Sequence, residues 1–232
     1  MELIETARYK AYGLDAGAQA SLAALGDSML GAGFNVTGLT DPQDIERIHF
    51  LDSLSLLELD AVRSATEIVD IGSGAGLPAL VLALVLAAGV TAVESQQKKC
   101  RFIAETAQLL ALENVQVVCA RAEEYGQGRG REAHDLAVSR ALASLAVVAE
   151  YSLPLLRLQG TMVAMRGRLS AEERLQAERA IAILGGESLE SVRLDPFPGA
   201  QNRWVHIVRK IRVTPPAYPR RVGIPTKRPL GL

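Results

Sequence analysis

The chain has 232 residues, of which 49% are hydrophobic and 22% charged, with a formal net charge of −1. That balance describes a folded globular protein with room for one substantial domain and excludes disorder over most of the length. Two cysteines, Cys100 and Cys119, exclude a disulfide framework, no His/Cys spacing suggests a metal, and the charged opening "MELIETARYK" is not that of a secretory leader, so a cytoplasmic location is expected.

The first 60 residues read mostly as helices. "AGAQASLAALGDSMLGAG" carries apolar residues at helical spacing. "FNVTGLTDP" reads as a loop, and Asp41-Pro42 opens another helix through "QDIERIHFLDSLSLLEL". Strands and helices then alternate. "TEIVDIG" is a strand, "LPALVLALVLAA" a helix, "VTAVES" a strand, "QKKCRFIAETAQLLAL" a helix and "VQVVCARA" a strand. "HDLAVSRA", "SLAVVAEYSLPLL" and, after a stop at Gly160, "GTMVAMRG" repeat the pattern. "SAEERLQAERAIAILGG" has a serine N-cap and a glycine C-cap, and "RWVHIVRKI" is a last long strand. "RVTPPAYPRRVGIPTKRPLGL" is a proline-rich end without periodicity.

From Ile71 to Val93 no residue is charged, but three glycines and Pro78 break the run and its helical part covers only Leu77 to Ala88. A membrane span needs about 20 apolar residues, so this is a helix buried on a parallel sheet, and no membrane partner is expected. Strands joined by helix-length crossovers predict an α/β fold with a doubly wound, mostly parallel, Rossmann-like sheet. It is expected as a single domain: an N-terminal helical extension over 1–62, the core over 63–212 and a basic tail over 213–232.

"VDIGSGAGLP", Val69 to Pro78, places Gly72, Gly74 and Gly76 at alternate positions after the first strand of the sheet. Ligands of such sheets bind beyond the carboxyl ends of the strands, against a glycine loop. The dinucleotide fingerprint G-x-G-x-x-G is not met, because Leu77 stands where its last glycine would be, and no G-K-[ST] follows. Glu94 ends the next strand, suited to bidentate bonding of a ribose; alone, it reads equally as a charge at a helix start. Ala122 and Glu123 follow the third strand, where an acid can accept the adenine amino group; the pair Glu123-Glu124 also reads as a solvated turn.

Together with Asp70 ahead of the loop, these positions resemble S-adenosylmethionine-dependent methyltransferases. "FNVTGLTDPQDIERIHFLDSL", "DIGSGAGLP", "RAEEY", "SRALASL", "LPLLRLQGTMVAMRG" and the ending "YPRRVGIPTKRPL" resemble, in order over about residues 30 to 230, the bacterial ribosomal RNA small subunit methyltransferase G family, also called glucose-inhibited division protein B. The resemblance implies a methyltransferase fold, S-adenosyl-L-methionine as cofactor, and methylation of guanine N7 in a loop of 16S ribosomal RNA, with the RNA or the small subunit particle as partner. It also implies cofactor contacts at Gly72, Leu77, Ala122, Glu123 and Arg140. The family commonly has Asp where this chain has Glu94, so a longer side chain reaches the ribose. The first thirty or so residues match in helical character alone.

The chemistry agrees with N7. Neither cysteine follows a proline, as a cytosine C5 adduct needs, and no Asn-Pro-Pro-aromatic motif for exocyclic amines is present. Guanine N7 has an in-plane lone pair and loses no proton, so alignment and desolvation suffice. Arg140 either holds the cofactor carboxylate or an RNA phosphate, or pairs with an acid of the N-terminal helices. His49 and Asp52 share a helix face and read better as core residues than as a lid. Arg166 either meets phosphate or ends its strand at the surface.

Charge is polarised along the chain: residues 1–60 hold ten acids against three bases, and residues 196–232 hold eight bases and no acid. Arg220, Arg221, Lys227 and Arg228 are therefore expected on RNA phosphates, remote from the cofactor. A monomer is expected. The rival readings are a nicotinamide-dependent oxidoreductase, disfavoured by Leu77, and a non-catalytic ribosome-assembly factor.

Overall fold

The computed structural model describes residues 1–232. Helices α1 (Thr6–Ala11) and α2 (Ala16–Leu30) open the chain, and the Asp15 side chain caps α2 by accepting the Ala18 N–H. The helix expected from Asp41 forms, but not as one regular coil. It runs as α3 (Pro42–Asp44), a π-helical stretch Ile45–Leu51, α4 (Asp52–Leu54) and a 3-10 turn Ser55–Glu58, followed by α5 (Asp60–Arg63). Asp41 starts it by accepting the N–H groups of Gln43 and Asp44.

The core alternates as the pattern requires: β1 (Glu67–Ile71), α6 (Ala79–Val85), β2 (Gly89–Glu94), α7 (Gln97–Leu109), β3 (Val115–Cys119), α8 (Ala122–Gln127), β4 (His134–Arg140), α9 (Leu145–Ser152), β5 (Leu156–Arg166), α10 (Ala171–Leu184), β6 (Gly186–Arg193), β7 (Trp204–Lys210) and α11 (Ile224–Lys227). The seven strands lie in the order β3-β2-β1-β4-β5-β7-β6. The first five are parallel, and β7 inserts antiparallel between β5 and β6. Strand order reverses between β1 and β4, where a ligand crevice belongs. One apolar cluster joins the N-terminal helices and α6 to one face, and a second joins α9 and α10 to the other.

Three elements differ from the expectation. Helix α6 is shorter than the apolar run, because the Asn114 side chain donates to the carbonyls of Ala83, Leu86 and Ala88 and turns the chain into β2. Strand β5 begins before Gly160, which sits inside the strand where pairing with β4 shifts register between His134 and Leu136. Strand β6, "GESLESVR", has no counterpart in the sequence pattern: it is the outer edge, largely exposed, so it lacks the apolar face that marks a strand in a sequence. The Ser170 cap and the Gly185 left-handed C-cap of α10 are as expected. No helix is long and apolar enough to cross a membrane.

Candidate active site

The glycine loop leaves β1 with Gly72, Gly74 and Gly76 at φ +72°, +59° and +81°, a path closed to ordinary side chains. A cavity of about 380 Å3 lies against it at the carboxyl ends of β1 to β3, within the range of small-molecule sites. Gly72, Gly74, Glu94, Ala122 and Glu123 all line it, so the structure gathers five of the eight residues expected there. A Cβ at Gly74 would meet no atom closer than 3.8 Å, so its missing side chain is open space in the cavity.

The other three have different places. Gly76 allows packing, because a Cβ there would sit 2.6 Å from Leu80 and press on Ile103. Leu77 is 2% exposed in the apolar core, and neither residue lines the cavity. Arg140 stands outside it, at a second cavity.

Glu94 corrects the expectation of a free bidentate acid. Its Oε2 accepts the Gly74 N–H at 3.0 Å, and its Oε1 accepts the N–H groups of Ser95 and Gln96 at 2.7 and 2.8 Å. A carboxylate has about four lone-pair positions. Three are taken, leaving one for a ribose hydroxyl. Glu94 thus ties the glycine loop to the start of α7. Beneath the loop, Asp70 Oδ2 accepts the Ala79 N–H while Oδ1 is buried without a partner. Burial, opposed by bonding to Ser73 and Ala79, pushes the Asp70 carboxyl up to about 6.

The tail was expected to be remote, and it is not. The Gly223 N–H donates to Glu123 Oε1 at 2.9 Å, and Thr226 lines the cofactor-sized cavity. Arg220 does not offer its charge to solvent. Its Nε and a terminal nitrogen donate to the two oxygens of Glu150, at 2.8 and 2.6 Å, and Glu150 is fully buried. Arg131 adds bonds to the carbonyls of Tyr218 and Thr214. Arg221, Lys227 and Arg228 are exposed and make no ion pair within the protein. Tyr151, on α9, is a wall residue that the sequence did not single out; it sits in a long apolar run that reads as core alone.

A second cavity of about 340 Å3 lies beyond the ends of β4 and β5 and the start of β7. Ile48, Asp52, Arg140, Arg166, Arg203 and Trp204 contribute to it. Arg140 donates to the Ile48 carbonyl at 2.9 Å and lies 3.8 Å from Asp52, the pairing with an N-terminal acid that the sequence left open. Arg166 donates to the Ala143 carbonyl and pairs with Glu173 at 3.4 Å. His49 is buried with neither ring nitrogen bonded, and burial pulls it down to about 4. It is a neutral core residue, as expected, whereas Asp52 belongs to the cavity wall.

The family model for rRNA small subunit methyltransferase G matches residues 28–196. The chain belongs to that family. A protein of Symbiobacterium thermophilum named ribosomal RNA small subunit methyltransferase G is 44% identical over 205 residues, covering 84% of this chain and 82% of that one. The protein of the same name from Leuconostoc citreum is 37% identical, over 85% and 84%. Among solved structures, an S-adenosylmethionine-dependent methyltransferase of Aquifex aeolicus superposes with a TM-score of 0.56 at 14% identity, over 74% of this chain and 94% of that one. An O-methyltransferase of Thermotoga maritima gives 0.54 at 17%, over 82% and 72%. Both are likenesses of fold. The protein is therefore a methyltransferase using S-adenosylmethionine, and the oxidoreductase and non-catalytic readings fall. The cavity fits that cofactor: Gly74 leaves open space at its wall, and Glu94 retains one acceptor position beside apolar Val93, Ala122 and Leu142.

Proposed function

We propose that this methyltransferase modifies N7 of a guanine in 16S ribosomal RNA, presented as the RNA or the small subunit particle. The observation that carries the reading is the pair of cavities along one edge of the sheet, divided by the chain segment that follows β4. Arg140 and Ala141 face one cavity, and Leu142 and Ala143 face the other. One chamber suits the cofactor and its neighbour suits a flipped base.

Bound S-adenosylmethionine supplies an electrophilic methyl group on a sulfonium. Gly72, Gly74, Glu94 and Ala122 would hold it, with Glu123 securing the tail segment that completes the wall. The protein supplies alignment and removal of water, and N7 asks for no proton acceptor. Cys100 and Cys119 line neither cavity, which supports a nucleophile that needs no enzyme adduct. Arg221, Lys227 and Arg228 are proposed to contact phosphates, with Arg166 nearer the base. A ribosomal substrate supports a cytoplasmic location, and the protein is proposed to act as a monomer.

The test is transfer of tritiated methyl to small-subunit RNA and to assembled subunits, followed by borohydride and aniline cleavage, which breaks the strand at 7-methylguanosine. Cleavage at one guanosine is expected. Incorporation without cleavage would place the methyl elsewhere and refute the N7 assignment.

A further inference from the structure

The second cavity has polar groups that the fold leaves unused. Asp52 lines it with a side chain 8% exposed, and neither carboxylate oxygen accepts a hydrogen bond from within the protein. Two guanidiniums form ion pairs with it. Arg140 stands 3.8 Å from Oδ2. Arg203 Nε stands 3.0 Å from Oδ1 but outside hydrogen-bond alignment, and is buried without another partner. Arg166, in the same wall, is held by the Ala143 carbonyl and Glu173. A carboxylate held by ion pairs without an aligned hydrogen bond, beside Arg203, whose terminal nitrogens make no hydrogen bond within the protein, leaves capacity of both signs in one cavity wall for a polar ligand.

We propose that Asp52 is the specificity-determining residue for the target base: its carboxylate accepts N1–H and the 2-amino group of guanine, while the guanidiniums beside it donate to O6. The inference rests on the proposed function and names how its second cavity reads the base. Along its Watson–Crick edge guanine presents two donors and then an acceptor. An anionic acceptor flanked by cationic donors is the complement of that order. Adenine would turn an acceptor, N1, toward the carboxylate and its amino group toward an arginine. Cytosine and uracil carry no matching donor pair. Trp204, half-buried in the same wall, offers an indole face for stacking, the usual partner of an unstacked RNA base. With N1–H and the 2-amino group against Asp52, N7 lies on the Hoogsteen edge, beyond O6 and away from the carboxylate.

The π-helical stretch Ile45–Leu51 accounts for the placement. It ends where Asp52 begins, and its Ile48 carbonyl receives Arg140, so the irregular coil and the guanidinium together fix the carboxylate in the wall. A regular helix would rotate Asp52 to another face. Such π segments recur where a helix presents a functional side chain.

The experiment uses small-subunit RNA ligated from fragments, with guanosine or inosine at the target position. Inosine keeps N1–H and O6 and lacks the 2-amino group. The parent enzyme is expected to lose about tenfold to a hundredfold in kcat/KM on inosine, the scale on which a site built for a hydrogen bond rejects its absence. Asp52→Asn should lose a similar factor on guanosine and retain at most about a threefold preference over inosine. Asp52→Glu, which keeps the carboxylate, should recover part of the preference. Cofactor affinity by calorimetry should stay within about twofold in both variants, since Asp52 is not in the cofactor cavity. A parent that methylates both bases equally, or an Asp52→Asn enzyme with the parent's preference, would overturn the assignment while leaving N7 transfer to ribosomal RNA intact. A parent that methylates no guanosine of the small-subunit RNA would overturn the function itself, and this assignment with it. Should Asp52→Asn fail to fold, the parent and Asp52→Glu arms decide.

Discussion

Replacing Glu94 by Gln tests the whole loop. The wild-type carboxylate accepts three backbone N–H groups, from Gly74, Ser95 and Gln96. The amide keeps one oxygen. If that oxygen stays on Ser95 and Gln96, its new NH2 faces the Gly74 N–H, donor against donor. One charge-assisted bond is lost, worth roughly 1.5–3 kcal/mol, and the other two fall toward the neutral value near about 1 kcal/mol. A total near 3 kcal/mol is expected, which for a chain of this size lowers the melting temperature by about 6–12 °C. Thermal unfolding without cofactor measures that loss. Calorimetric titration with S-adenosylhomocysteine should show a further loss of about tenfold, from the ribose bond and the loosened loop. An analogue lacking both ribose hydroxyls should be weakened too, because loop geometry is damaged whichever ligand arrives. Parent-like unfolding with affinity lost for the ribose-bearing ligand alone would refute the reasoning, and would return Glu94 to the role of a free ribose acceptor.

Gly74→Val should abolish cofactor binding in a folded protein, since its side chain would fill open cavity at φ +59°; unchanged affinity by calorimetry would remove the cofactor from this loop. Arg220→Met strands the buried Glu150 charge and should cost about 3 kcal/mol in urea unfolding, with cofactor affinity falling as the tail loosens and the salt slope of RNA binding unchanged. The triple change of Arg221, Lys227 and Arg228 to Ala should flatten that slope by about two to three units, read from RNA binding at several salt concentrations, with cofactor affinity as in the parent. The Asp70 carboxyl, raised from 3.8 to about 6 by burial, binds its proton more tightly in the folded state. Its stabilising contribution is therefore full below pH 3.8 and is lost as pH rises through 6. Between pH 4 and 7 the stability gap between Asp70→Asn and the parent should shift by roughly 2 kcal/mol in favour of the variant, by denaturant titration at those two pH values.

The sheet was legible because buried parallel strands announce themselves as β-branched runs, and the glycine loop because three positive-φ positions leave only one residue type. Edge strand β6 was not, since a strand with both faces largely wet carries no apolar signal. The break of the helix after Asp41 into π and 3-10 turns was equally hidden: "DIERIHFLDSLSLLEL" has ordinary helical spacing, and tertiary packing sets its pitch. The positions of Glu94 and Glu123 after strands point to the end of the sheet where the cavity lies. What they bond was not readable, because their partners, the N–H groups of Gly74, Ser95, Gln96 and Gly223, are backbone atoms that every sequence has. Arg220 was misjudged for a related reason. A run of bases at a chain end looks like a solvated polycation until Glu150, 70 residues earlier, proves to be buried beneath it.

Sequence distance also suggested that cofactor and RNA would be handled by separate parts of the molecule, and the fold argues otherwise. Helix α11 is four residues long. Thr226 on it lines the cofactor cavity, Lys227 and the following Arg228 face solvent, and Gly223 at its start is tied to Glu123 in the cavity wall. A helix this short moves as a unit, anchored upstream by the Arg220–Glu150 pair. On the proposed reading, phosphate contact at Lys227 and Arg228 and cofactor contact at Thr226 therefore bear on the same element. Two ligands that favour one placement of a shared element must favour each other, and by equal factors in either order of binding. RNA that holds α11 in its observed place strengthens the cofactor cavity. RNA that draws it outward releases Glu123 from Gly223 and opens the cavity wall. The sign of the coupling thus turns on the hydrogen bond from the Gly223 N–H to the Glu123 carboxylate, between residues 100 apart in the chain.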